Sequence, residues 1–124
     1  MTEPNRFQKL VTDAKTRIKE ILPAEVASEV KSGKSIVIDV RDGDETDAGN
    51  IPEAKKISRG TLEIEIEEIA PDLSTPIICY CGGGGRSALA TESLQRMGYT
   101  NVRSIAGGFK GWQAAGLPVT TSDS

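Results

Sequence analysis

Ile77-Ile78-Cys79-Tyr80-Cys81-Gly82-Gly83-Gly84-Gly85-Arg86-Ser87 is the stretch on which the fold turns. The apolar run Ile77–Tyr80 reads as a short buried strand. Four consecutive glycines then break any regular pattern, and apolar and polar residues at helical spacing follow from Ser87 to Met97, ending at Gly98. A cysteine leaves a buried strand, a glycine loop turns, and a helix starts. Glycine allows backbone N–H groups to turn inward and a ligand to approach closely. The helix N-terminus aims a partial positive charge at the same place. Together they form an anion-binding cradle that favours the nucleophilic thiolate of Cys81. Arg86 adds a permanent charge at the rim. The plainer alternative is an ordinary strand-to-helix turn beside an inert buried cysteine. Four glycines cost more backbone entropy than such a turn requires. For Cys79, inside the strand, packing is the favoured reading.

Working outward, Ser35–Val40 is a β-branched run typical of a buried strand, and Val102–Ile105 is a third. Phe7, Leu10, Val11, Ala14 and Ile18 form one apolar stripe, which predicts an amphipathic N-terminal helix over residues 5–20. Pro23 suits the first turn of a second helix, which runs through Ala24–Lys31 and stops at Gly33. The charged segment Arg41–Asn50 is expected to be an exposed loop. Leu62–Glu67 alternates as a strand would, although Leu62, Ile66 and Ile69 also fit a helix. Gly107-Gly108 opens a short helix that ends near Gly116. Strands alternating with helices imply an α/β fold with a mostly parallel central sheet flanked by helices. The organisation expected is an extra N-terminal amphipathic helix (1–20), one domain (21–119) and a disordered tail (120–124), with no internal repeat.

The 124 residues suffice for one core without a metal or disulfide staple. A net charge of −3 gives no basic footprint for nucleic acid, and no apolar run is long enough to span a membrane. Met1–Arg6 is polar and is not followed by an apolar signal core, so the expected compartment is the cytoplasm. With no histidine, Ser-His-Asp and Cys-His catalysis are excluded, as are most zinc sites. Cys79 and Cys81, about 6.6 Å apart along a strand, are near the upper limit for a disulfide and read as free thiols in a reducing compartment. The N-terminal helix either packs on the domain or offers a partner surface, so the chain is expected to be a monomer or weak dimer.

Ile77–Ser87 resembles the active-site region of the rhodanese homology family, whose catalytic cysteine opens a loop ending in Arg-Ser. Asp39-Val40-Arg41 resembles that family's Asp-Val-Arg at the end of an early strand. Ile51-Pro52-Glu53-Ala54, followed by Arg59-Gly60, resembles its Gly-His-Ile-Pro-Gly-Ala stretch. Gly107-Gly108, Trp112 and Gly116-Leu117-Pro118-Val119 resemble its C-terminal signature. The resemblance covers residues 21–119 and implies a helix, not a strand, over 61–69. The family's histidine is Asn50 here and its next glycine is Glu53. Many relatives carry basic or polar side chains where this chain has Gly82 to Gly85.

The resemblance implies a thiosulfate sulfurtransferase-like enzyme without metal or organic cofactor. Cys81 would take sulfur from thiosulfate or another sulfane donor and hold it as a persulfide. A small thiol, cyanide or a protein cysteine would accept it. Gly82, Gly83, Gly84, Gly85, Arg86 and Ser87 would bind the substrate. Arg41 and Arg59 are candidate second basic groups at the mouth, and Asp39 is expected to hold loop geometry. A sulfur carrier or regulatory binding module of the same fold is the alternative. A cysteine phosphatase or arsenate reductase is the nearest enzymatic rival, but its loop places five residues between cysteine and arginine. Here four separate Cys81 from Arg86.

Overall fold

Three β-branched runs pair in the computed structural model, which describes residues 4–121. They are β2 (Ile36–Asp39), β4 (Ile77–Tyr80) and β5 (Val102–Ile105), joined by two short strands, β1 (Lys19–Ile21) and β3 (Lys55–Lys56). The sheet has the order β1-β5-β4-β2-β3, and every pair is parallel. A parallel sheet needs helices on both faces. Alternation along β4 divides the core accordingly. Ile77 and Cys79 point into one apolar cluster with Leu62, Ile66 and Leu94, from α4 (Leu62–Ile69) and α5 (Gly85–Arg96). Ile78 and Tyr80 point into the other with Val26, Phe109 and Trp112, from α2 (Pro23–Ser32) and α6 (Gly108–Ala114).

After β4 the chain crosses to β5 on one side, whereas after β2 it continues to β3 on the other. The crevice outside the carboxyl ends of β2 and β4 is therefore a topological switch point, where open α/β sheets place their ligands. Cys81 emerges there.

Several elements differ from the sequence reading. The first helix, α1 (Arg6–Lys15), is shorter than the expected 5–20. It ends at Thr16, and Lys19–Ile21 then pairs with Arg103–Ile105 as an edge strand. This pairing is tertiary, so no local periodicity announces it. Arg41–Asn50 is not an open loop: it contains α3 (Gly43–Asp47) and buries Arg41, Thr46 and Asn50. Residues 62–69 are helical, burying Leu62 and Ile66 while Ile64 is 78% exposed. Thr120 is not part of a frayed tail, since it exchanges backbone hydrogen bonds with Asn50 at 2.8 Å in both directions. Residues 1–3 and 122–124, the ends of the expected N-terminal segment and tail, lie outside the described residues. Glu53, in place of the resembled pattern's glycine, holds a left-handed φ of 68°. No helix among the described residues is long and apolar enough to cross a membrane.

Candidate active site

Cys81 follows the last residue of β4 and is only 1% exposed. Its Sγ accepts the backbone N–H groups of Gly84 at 3.2 Å and Ser87 at 3.4 Å. Its thiol points to the Ser87 hydroxyl at 3.7 Å, and that oxygen is 2.7 Å from Ser104 Oγ. Ser87 and Ser104 are both fully buried, so a short hydroxyl relay supports the sulfur from inside the domain. When Sγ is anionic the hydroxyls can reorient and donate to it. The helix α5 starts at Gly85, two residues before the expected Ser87, and the amides of its N-cap Gly84 and its third residue Ser87 face the sulfur.

The first two carbonyls of the loop are held from behind, on the side away from the Gly84 and Ser87 amides' contact with sulfur. Phe109 N donates to the Cys81 carbonyl at 2.7 Å and Lys110 N to the Gly82 carbonyl at 3.0 Å. The opening turn of α6 therefore holds the outer side of the loop. Gly108 makes this approach possible: with φ +60°, it sits where a Cβ would lie 2.5 Å from the Cys81 carbonyl oxygen.

The four loop glycines are not equivalent. Gly84 has φ +100°, and a Cβ on Gly85 would press on the Phe7 ring of α1 at 3.1 Å. Gly82 would make only ordinary contacts, and a side chain on Gly83 would meet open space.

Arg86 is not the unopposed rim charge that the sequence suggests. Its two terminal nitrogens each donate to a Glu45 oxygen at 2.7 Å. This guanidinium holds the Glu45 carboxyl below its usual range. Neither candidate second cation is free at the mouth. Arg41 is buried, pairs with Asp39 at 2.8 Å, donates to the Gly49 carbonyl at 2.6 Å and lies 4.5 Å from the centre of the Phe109 ring. Arg59 donates to Glu63 at 2.8 Å and to Ser93 Oγ at 2.9 Å. Arg41 stood in a stretch whose charge density suggested exposure, but the fold supplies both arginines with acceptors. Asp39 accepts the Arg41 backbone N–H at 3.0 Å and the Tyr80 hydroxyl at 2.8 Å, and Tyr80 in turn accepts the Ile51 N–H at 3.1 Å. It thereby ties the ends of β2 and β4 to the segment after α3.

Cys79 is also a free thiol, but its side is closed. Burial pushes it up to about 12, so it stays protonated at neutral pH. Among the described residues, Cys81 alone of the two cysteines has backbone donors aimed at its sulfur.

The family model described as the rhodanese-like domain matches residues 22–115. The chain belongs to the rhodanese-like domain family. Within this family it is 31% identical over 103 residues to the thiosulfate sulfurtransferase GlpE of Actinobacillus succinogenes, covering 83% of this chain and 91% of that protein. It is 31% identical over 88 residues to a sulfurtransferase of Allochromatium vinosum, covering 71% and 80%. Among solved structures, a Rhodopseudomonas palustris protein of unknown function, described as a possible tyrosine phosphatase, is 32% identical with a TM-score of 0.86, covering 97% of this chain and 98% of that one. The rhodanese-like fold accounts for the placement of Cys81 at the switch point. Glu45, Ser104 and Phe7 are contributors that sequence reasoning missed. Glu45 lies 41 residues from Arg86, and no local spacing marks the pair.

Proposed function

We propose that the protein is a sulfurtransferase that carries sulfane sulfur as a Cys81 persulfide. The observation that carries this reading is the Cys81 sulfur at the floor of the loop, facing the Gly84 and Ser87 amides. The similarity to sulfurtransferases supports it. In the first half-reaction the thiolate attacks the outer sulfur of thiosulfate or of a persulfide donor. A new S–S bond forms, the donor's S–S bond breaks, and sulfite or a thiolate leaves with the electron pair. In the second half, cyanide, a small thiol or a protein cysteine attacks the outer sulfur. The Cys81 S–S bond breaks and its electron pair returns to Sγ. Inward N–H groups stabilise the anionic sulfur of both the persulfide and the regenerated thiolate. A reducing compartment such as the cytoplasm suits this cycle, because resting Cys81 must be a free thiol.

The similarity to a possible tyrosine phosphatase raises a second reading. Two features of this chain weigh against it. Four residues, not five, separate Cys81 from Arg86. The arginine that would grip a phosphate is engaged at both nitrogens by Glu45.

The test is intact mass after incubation with thiosulfate and, separately, a small organic persulfide, followed by removal of excess donor. One added sulfur on the native chain, and none on Cys81→Ser, is expected. No added sulfur from either donor would refute the reading.

A further inference from the structure

We propose that Glu45 is a specificity-determining residue that closes the Cys81 site to small anionic donors by neutralising Arg86 at its mouth. This rests on the sulfurtransferase reading for its biological meaning, but its physical content is a charge gate and can be tested without sulfur transfer. Arg86 is the only charged side chain in the loop from Cys81 to Ser87. Its guanidinium forms a two-pronged pair with Glu45, with both N–O distances 2.7 Å. This fork uses two of the five guanidinium N–H groups and sets a full carboxylate charge against the cation. The pair lies against the first loop residue: a Cβ on Gly82 would sit 3.6 Å from Arg86 Nη2 and 3.9 Å from Glu45 Oε2. The two side chains are 34% and 42% exposed, so the pair borders solvent beside the first loop residue. Asp42, at the start of the same short helix, adds a further negative charge that acts on Arg86. An approaching dianion therefore meets a compensated pair, not a free cation, at this rim. Inside, the backbone N–H groups that receive sulfur are uncharged. A donor that is neutral near its reacting sulfur, or that docks through a larger surface, does not meet this barrier.

Alkylation of Cys81 with iodoacetate and with iodoacetamide separates charge from access, because the two reagents differ chiefly in charge. Rates are followed by mass and mapped to Cys81 in the native chain, Glu45→Gln, Arg86→Gln and the double variant. Glu45→Gln keeps an oxygen for Arg86 but removes the negative charge. It should raise the iodoacetate-to-iodoacetamide rate ratio by roughly three- to tenfold at low salt, and added salt should erase the gain. Arg86→Gln should lower the ratio by a similar factor, and the double variant should return it to the native value. The thiosulfate half-reaction should follow the iodoacetate pattern. An unchanged ratio in Glu45→Gln, or a salt-independent rise for both reagents, would overturn the gate. If Glu45→Gln does not fold, an unchanged ratio in Arg86→Gln overturns it. A changed ratio with no sulfur gained from any donor would instead remove the sulfurtransferase reading and leave the gate standing.

Discussion

Phe109 donates its backbone N–H to the carbonyl oxygen of Cys81 at 2.7 Å, so the first turn of α6 and the nucleophile loop are one backbone unit. Gly108 is the residue that permits it. A methyl group there would lie 2.5 Å from the Cys81 oxygen, 2.7 Å from the Gly82 oxygen and 2.8 Å from the Gly84 nitrogen. None of these is a flexible side-chain end. Gly108→Ala should therefore destabilise the fold by more than the ~1–2 kcal/mol that a left-handed L-residue costs alone, and should abolish Cys81 reactivity even where the chain remains folded. Gly60→Ala is the control, since nothing lies within 4 Å of its Cβ and its φ is not left-handed. It should be neutral or stabilising by about 0.4–1 kcal/mol. Thermal melts and Cys81 alkylation rates check both. A Gly108→Ala variant as stable and reactive as the native chain would refute the close approach.

The loop glycines should differ in the same way. Gly83→Lys meets open space and should leave stability within about 0.5 kcal/mol. It places a cation beside the site that no acidic residue was built to cancel. The thiosulfate half-reaction should accelerate several-fold at low salt, with the gain shrinking as salt is added. Gly84→Ala, at φ +100°, should lose about 1–2 kcal/mol and most activity. Equal tolerance at both positions would show that the loop is not held as described.

These contrasts mark what the sequence carries and what it does not. The α/β class and the place of Cys81 were legible because buried strands are β-branched and a four-glycine run has few other uses. Ile64 shows where pattern alone misleads. Its alternation with Leu62 and Ile66 suggests a strand, but it is the solvent face of a helix. The resemblance to the family corrected that reading. Arg41 shows the opposite failure. Its setting among charged residues suggested an exposed loop, yet Asp39, Gly49 and the Phe109 ring enclose it. Its partners come from separate segments, as do those of the Glu45–Arg86 pair. Charge density along a chain reports average exposure, and only the fold decides which charges meet.

The two cysteines should separate cleanly. Cys81→Ser should abolish sulfur transfer, since a serine hydroxyl in the same cradle cannot form a persulfide. Cys79→Ala should retain most of it, at a stability cost of about 1–2 kcal/mol for a small buried cavity. The motivation is that burial holds Cys79 protonated while two amides face Cys81. Thiosulfate-dependent thiocyanate formation from cyanide would be measured for both. A folded Cys79 variant that is dead beside an active Cys81 variant would reverse the assignment.

Acid stability should depend on Glu29. Arg103 donates to both of its carboxylate oxygens, and Glu29 is lowered from 4.5 to about 2, chiefly by that contact. A carboxyl depressed in the folded state stabilises it above the unfolded value, and the contribution is lost as pH falls through the folded value. The window is therefore from about pH 4.5 down to about 2. The pair is partly exposed, so solvent screening limits it to less than about 1 kcal/mol. Glu29→Gln should flatten stability against pH in that window and leave Cys81 chemistry at neutral pH unaltered. Denaturant melts at several acidic pH values would show this. An unchanged slope would mean that Glu29 does not couple to folding.

Thiosulfate should be a weak donor compared with persulfides. The cradle holds sulfur with the Gly84 and Ser87 amides, which reach only what already lies at Cys81. The loop carries no free cation to recruit a dianion from solution, because Arg86 is engaged by Glu45. The net charge of −3 offers no long-range attraction, and physiological salt screens what remains. Thiosulfate saturation is thus expected in the millimolar range or above, roughly the upper end of ordinary enzymes. A small neutral-bodied persulfide, or a persulfidated protein cysteine that docks through its own surface, should reach the same half-reaction at lower concentration. Comparing saturation by the three donors in single-turnover assays checks this. Thiosulfate saturation well below millimolar, with no preference for persulfides, would mean that the paired arginine does not limit capture.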